Sequence, residues 1–287
     1  MADVGVAVHR PAQLAEGPLW DESRRCLWWV DIAAGVLNHY DPRARSNERE
    51  MLDLPVSAVA LCADNGLILA AGKGFATYDD GKLSWITEVA LGDRMNDGKC
   101  DPAGRFLAGT LVSGDDASGK AALYRLEKGE VTQLFDGVTV SNGLGWSPSG
   151  ETMYYIDTPT RRIDAFDYDV ASGSLGERRT FVDLSEVPGV PDGLTVDARG
   201  AVWVAMSRGG AAIRRFLPDG RPDQMVAIPV PNVTSVAFGG PDLDELYVTT
   251  SRHGLGEKVL AAYPLAGCVF RVRGLRVPGL PANRYAG

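Results

Sequence analysis

The chain has 287 residues, 45% of them apolar and 23% charged, a make-up typical of a soluble globular protein and long enough to bury a large core. A formal net charge of -8 and a pI near 5.0 exclude a basic footprint for nucleic acid or for an anionic membrane surface. The opening "MADVGVAVHRPAQLAEG" has neither the basic start nor the apolar stretch of a secretory leader, and no run approaches the ~20 apolar residues of a membrane-spanning helix, so the expected location is cytoplasmic.

The 34 Gly and 17 Pro point to many turns between short strands. In chain order, the alternating "VGVAV" (4–8) comes first and reads as a strand. One phrase then recurs six times, a turn with Gly or charged residues followed by an apolar strand. The copies are "DESRRCLWWVDI" (21–32), "ADNGLILAAG" (63–72), "DPAGRFLAGTL" (101–111), "SPSGETMYYIDT" (147–158), "DARGAVWVAMS" (197–207) and "GPDLDELYVTTS" (240–251). With Leu27, Leu67, Phe106, Met153, Val202 and Leu246 as anchors, the period runs from about 39 to about 49 residues, the length of a four-stranded propeller blade.

Between copies, "GKAALYRLEKGEVTQLF" (119–135) and "RRIDAFDYDVASGSLGERRTFVDL" (161–184) read as further hairpins. No stretch sustains a capped helical period, so little helix is expected. The predicted architecture is all-β, a six-bladed β-propeller of four-stranded antiparallel blades forming a single domain over residues 1–287. The ring is expected to close by pairing "VGVAV" with strands of "CVFRVRGLRVPG" (268–279) in one composite blade.

Ten or eleven residues before each anchor stand Glu16, Val56 or Ser57, Asn96, Asn142, Asp192 and Ser235. Singly, Glu16-Gly17-Pro18, Asn96-Asp97-Gly98, Asn142-Gly143 and Asp192-Gly193 read as turns. Their common phase favours another reading, because equivalent points near the start of the innermost strands converge on the central channel, and independent turns have no reason to share a phase. The glycine that follows is read as letting the backbone carry its neighbour close to an ion. Glu, Asn and Asp offer hard oxygen donors only, and His9, His39 and His253 fall outside the phase. The donors suit one divalent cation, Ca²⁺ first, with Mg²⁺ or Mn²⁺ next and Zn²⁺ or Fe²⁺ less well matched. Three protein ligands leave positions open for water or substrate, the mark of a catalytic rather than a structural ion.

The blocks "AEGPLWDESRRCLWWVDI", "RMNDGKCDPAGRFLAGTL", "SNGLGWSPSGETMYYIDT" and "PDGLTVDARGAVWVAM", in this order, resemble the regucalcin/gluconolactonase family, also called the senescence-marker-protein family. The likeness extends to the end of the chain through "FGGPDLDELYVTTSRHGL" and "YPLAGCVFRV", which look like the last blade of bacterial sugar-lactonase members. The resemblance implies a propeller with one divalent metal in its channel, hydrolysis of a sugar lactone to its aldonic acid, metal ligands at Glu16, Asn142 and Asp192, substrate contacts at Arg94 and Asn96, and Asp192 as general base. One departure concerns the third-blade loop "VSGDDASGKAALY" (112–124), which lacks the additional Glu of some animal members and leaves Asp115 or Asp116 as substitutes. Two rival readings keep the fold: a calcium-binding regulator without catalysis, and a phosphotriesterase-like hydrolase.

Other motifs point nowhere. "GKGFAT" (72–77) lacks the helix that a nucleotide loop needs, and no G-x-S-x-G or Cys/His pair supports covalent acyl transfer. Cys26, Cys62, Cys100 and Cys268 lack metal-finger spacing and read as buried, reduced thiols; Asn232-Val233-Thr234 reads as a chance glycosylation pattern. Oligomeric state has no signature in the sequence.

Overall fold

A computed structural model describes residues 2–114 and 116–287. The first strand, β1 (Asp3–Val8), stands before the first blade. Blade 1 is β2 (Ala15–Asp21), β3 (Cys26–Asp31), β4 (Val36–Asp41) and β5 (Ser46–Met51). Blade 2 is β6 (Val56–Leu61), β7 (Leu67–Ala71), β8 (Gly74–Asp79) and β9 (Lys82–Glu88). Blade 3 is β10 (Arg94–Cys100), β11 (Phe106–Leu111), β12 (Ala121–Glu127) and β13 (Glu130–Val138). Blade 4 is β14 (Ser141–Trp146), β15 (Thr152–Asp157), β16 (Arg162–Asp169) and β17 (Ser174–Asp183). Blade 5 is β18 (Val190–Val196), β19 (Val202–Ser207), β20 (Ala212–Phe216) and β21 (Pro222–Ala227). Blade 6 joins β22 (Val233–Gly239), β23 (Glu245–Thr250) and β24 (Val269–Arg273) to β1.

The result is a six-bladed propeller of four-stranded antiparallel sheets, as the period predicts. Among the described residues, helix is confined to α1 (Glu257–Ala262) and a 3₁₀ turn at Thr158–Thr160, and no helix is long and apolar enough to cross a membrane.

The first strands of successive blades touch in a closed round, β2 to β6, β10, β14, β18, β22 and back to β2, which makes them the wall of the channel. The anchors Leu27, Phe106 and Val202 lie on the second strands, so the position ten or eleven residues earlier falls on the innermost one. Burial explains the sequence pattern. An inner or second strand such as β6 or β19 is covered on both faces by neighbouring blades and is buried at every residue, whereas the outermost β5 is almost wholly exposed. Six apolar clusters each straddle one seam between blades; Trp203 of blade 5 meeting Phe238 of blade 6 at 6.0 Å is one example.

The recurring acidic turn has its own cause. Buried Asp101 and Asp197, at the ends of inner strands, accept backbone amides of the bend through Oδ1: Ala103 and Arg105 for Asp101, Arg199 and Ala201 for Asp197, at 2.8–3.1 Å. Each side chain thus satisfies donors that a tight turn would leave buried and unpaired. Arg105 and Arg215 then neutralise the two carboxylates, at 2.8 and 2.7 Å.

The ring closes as the sequence suggests. β1 pairs antiparallel with β24, Val4 opposite Val272 and Val8 opposite Val269. Removing residues 1–9 strips this outer strand and lowers Tm by roughly 3 to 5 °C, taking about 2 to 3 kcal/mol for the two valines. An unchanged melting curve would exclude this closure.

β24 ends at Arg273, short of the predicted 279, and the remainder takes a different path. It runs as a strap from the Gly279 amide on Leu243 O (2.7 Å) to Tyr285, whose amide donates to Leu61 O (2.7 Å), and Ala286, whose amide donates to Gly104 O (2.9 Å). All four cysteines are buried and free, and burial pushes the thiols of Cys26 and Cys62 up to about 12. Asn232 is 6% exposed and donates to His253 O, which is no glycosylation acceptor.

Candidate functional site

Every inner strand carries one extra residue relative to its partner, at or immediately beside the predicted phase. The pairing slips between Glu16 and Leu19, Val56 and Ala58, Met95 and Gly98, Ser141 and Leu144, Pro191 and Leu194, and Val233 and Ser235. These are β-bulges, which bend a strand and re-aim its side chains. Asn96, Asn142 and Asp192 therefore lie within strands rather than at turns, and the turn reading of their Asx-Gly pairs gives way to the common-phase reading.

The structure gives the glycines a different reason from the one expected. A Cβ on Gly143 would stand 2.7 Å from Asp192 O, and a Cβ on Gly193 would stand 2.1 Å from Ser235 Oγ. Each glycine is the surface on which the next inner strand rests, so the channel wall closes tightly enough for groups on adjacent blades to touch. Gly17 adds a backbone requirement, since its φ of +53° is a left-handed conformation that suits glycine.

A hydrogen-bonded chain runs round one side of the channel. Arg94 Nη1 donates to Met95 O (2.7 Å) and to Asn96 Oδ1 (2.9 Å). Asn96 Nδ2 donates to Ser141 O (2.6 Å) and to Asn142 Oδ1 (2.9 Å). Asn142 Nδ2 donates to Thr158 Oγ1 (2.7 Å), which donates to Pro191 O (2.9 Å), one residue before Asp192. Blades 3, 4 and 5 are stitched by side chains that are themselves buried, Asn96 at 7% and Asn142 at 6% exposed. Ser57, at the equivalent point of blade 2, donates to Met95 O at 2.7 Å and so braces the strand that carries Arg94.

Glu16 and Asp192 sit apart from that chain. Among the described residues the hydrogen bond to Glu16 comes from its neighbour, the Gly17 amide at 3.3 Å. Burial raises the Glu16 carboxyl well above the ordinary range, Asp192 and Asp97 raise it further by repulsion, and the Gly17 amide and Arg94 pull back. Asp192 is likewise raised, first by burial and then by Asp97, against the opposing effects of Arg208, the Ser207 hydroxyl and Arg94. Burial also makes the Arg94 guanidinium harder to charge, while Glu16 and Asp192 favour its charged form. Glu16, Asp97 and Asp192 are thus three carboxyl groups whose ionised forms burial disfavours.

The oxygens of Glu16, Asn142 and Asp192 are hard donors of the kind that suits a divalent cation, whose charge would offset the cost of burying the carboxylates. Asn142 Oδ1 is already fixed by Asn96 and keeps a second lone pair. Among the described residues no group of three or more His, Cys, Asp and Glu side chains is arranged to hold a metal ion. The Glu16, Asn142 and Asp192 set has two carboxylates and takes its third oxygen from an amide.

Asp97 and Lys99 escape the sequence reading, although Asp97 stands beside Asn96. Asp97 lies in the same bulge, 9% exposed; burial raises its carboxyl, and Lys99 and the Gly98 amide restrain the rise. Lys99 Nζ donates to Leu194 O at 2.7 Å; burial lowers its pKa and Asp97 opposes this. The one cue in the sequence was two opposite charges two residues apart on an inner strand. Both residues line a cavity of about 200 Å³ farther down the channel, whose lower end meets strap residues Leu280–Asn283. His39 packs against Trp28 with ring centroids 4.6 Å apart and planes tilted by 45°, and His9 and His253 are exposed. Asp116 lies on the exposed third-blade loop, paired with Lys120; Asp115 lies outside the described residues.

The chain matches the model of the SMP-30/gluconolactonase/LRE-like region over residues 14–252. Bovine (Bos taurus) regucalcin is 38% identical over 285 residues, covering 95% of this chain and 94% of that protein. The solved structure of a luciferin-regenerating enzyme is 32% identical and superposes with a TM-score of 0.92, covering 100% of both chains. A regucalcin from Agrobacterium tumefaciens, described as a calcium-binding protein, is 30% identical with a TM-score of 0.92, covering 98% of this chain and 96% of that one.

Proposed function

The chain belongs to the SMP-30/gluconolactonase/LRE-like family, and from that premise we propose that it opens a sugar lactone to the aldonic acid with the help of one divalent cation. The observation that carries this reading is the convergence of Glu16, Asn142 and Asp192 at one bulge level of three inner strands, with Arg94 and Asn96 in the same hydrogen-bonded layer. Glu16, Asn142 and Asp192 would hold the cation, Ca²⁺ first among the candidates, and when bound it would supply electrophilic polarisation of the lactone carbonyl and counter-charge for the carboxylates.

The chain's own residues do the rest. An Asp192 carboxylate oxygen accepts a proton from the attacking water, whose oxygen bonds to the carbonyl carbon. As the ring C–O bond breaks, that proton passes to the leaving alkoxide, and water plus lactone balances to a hydroxy acid. Asn142, the equivalent group of blade 4, cannot take the proton because it is an amide, and it serves as a neutral donor. Arg94 commits Nη1 to the protein and keeps Nε and Nη2 for ring or hydroxyl oxygens. Asn96 spends both amide hydrogens on Ser141 and Asn142, so it offers substrate an acceptor lone pair and orients Asn142.

A panel of aldonolactones, each assayed with Ca²⁺, Mg²⁺, Mn²⁺ or Zn²⁺ added back to chelated protein, tests the reading. Turnover that depends on both axes supports it. Tight Ca²⁺ binding with no turnover of any lactone favours the calcium-binding alternative, and phosphotriester cleavage without lactone cleavage favours the other.

A further inference from the structure

We propose that Arg208, on the channel rim of blade 5, selects lactones that carry a second, ionised group, a carboxylate or a phosphate, over neutral lactones. The inference rests on the lactone reading of the site and names the substrate class within it.

The placement follows from the strand register. β19 ends at Ser207, which pairs with Val190, so Arg208 leaves the sheet just beyond the bulge that carries Asp192. The turn it enters is fixed: the Gly209 amide donates to Pro231 O (2.9 Å) and the Gly210 amide to Ser207 O (3.1 Å). A Cβ on Gly189 would stand 2.5 Å from Gly210 Cα, so two bare backbones are pressed together there, and Gly209 faces open space. The rim beside Asp192 is thus a shelf nearly free of side chains, from which one long side chain rises. Arg208 holds a left-handed backbone, φ +48°, an uncommon conformation for a residue with a Cβ.

Two basic side chains on blades 4 and 3 have partners. Arg161 donates to Val187 O at 2.8 Å, and Lys120 pairs with Asp116. The exposed Arg208 guanidinium has neither a hydrogen bond nor an ion pair among the described residues, and the register places its backbone beside the strand end that carries Asp192. A guanidinium is always ionised and presents a planar fork that matches carboxylate and phosphate oxygens. A neutral polyol gains little from it, whereas an anionic substituent on a ring seated over Asp192 finds there a cation with no competing partner.

The test compares kcat/KM for a neutral aldonolactone, a lactone of an aldaric acid and a phosphorylated aldonolactone, for the native protein, Arg208→Gln and Arg208→Lys. The readout is the anionic-to-neutral ratio within each protein, because a changed environment at Asp192 moves both rates together. The native ratio is expected to exceed unity by about tenfold, the size of one charge-assisted hydrogen bond. It falls toward unity in Arg208→Gln and is partly restored in Arg208→Lys. Preference for the aldarolactone alone, or for the phosphorylated one alone, identifies the group. Hydrolysis of neutral lactones with a native ratio near unity, or a ratio unmoved by Arg208→Gln, overturns this proposal and leaves the lactone reading standing. Absence of turnover on all three lactones overturns both.

Discussion

Asp192→Asn loses about 10²- to 10⁴-fold in kcat/KM on every lactone that the protein accepts, with its circular dichroism spectrum intact, because the amide fills the same space and cannot accept the proton. The fold has no reason to suffer. Burial and the Asp97 charge raise the Asp192 carboxyl, so its ionised form is a burden on the metal-free protein. Removing that charge leaves metal-free Tm unchanged or higher. Blade 4 carries the comparison within the molecule: Asn142 occupies the equivalent bulge, with both ends of its amide engaged by Asn96 and Thr158. The measurement is steady-state kinetics paired with thermal melts of native and variant protein. Hydrolysis by Asp192→Asn within a few-fold of native would remove Asp192 from the base role.

The second large effect is on stability. With divalent cations chelated, Tm falls as pH rises from 5 to 8, the reverse of a protein held by well-paired carboxylates. Glu16, Asp97 and Asp192 are all raised, chiefly by burial, so between their unfolded and folded pKa values the folded chain holds more protons than the unfolded one. Stability therefore declines as pH climbs through that window, which begins at the ordinary carboxylate values and extends upward. Bound cation supplies the missing positive charge, flattens the slope and raises Tm; about 2.7 kcal/mol is gained when free cation is a hundredfold above Kd. Differential scanning calorimetry with chelator and with Ca²⁺ checks this. A chelated protein whose Tm is flat or rises from pH 5 to 8 contradicts the electrostatic account.

Much of this architecture is legible in the sequence because a propeller writes each structural level once per blade. The common phase of Glu16, Asn96, Asn142 and Asp192 could be counted without knowing that a bulge lies there, since the bulge recurs with the repeat. What the repeat does not encode stayed hidden. The role of Gly143 and Gly193 depends on how closely the next blade approaches, a contact between strands about 50 residues apart. Asp97 and Lys99 differ from their counterparts in other blades, so no periodic signal marked them, and only the fold turns both toward the channel. The strap after Arg273 was invisible for a similar reason: its hydrogen bonds go to Leu61, Gly104 and Leu243, carbonyls that any sequence would offer.

The central claim is that Glu16, Asn142 and Asp192 hold one divalent cation that lactone opening requires. The most direct measurement is the rate of aldonolactone hydrolysis as Ca²⁺ is titrated into fully chelated protein. The account predicts a rise from the uncatalysed background that saturates at one ion per chain and that Glu16→Gln shifts to higher cation concentration. Full activity before any cation is added would contradict it.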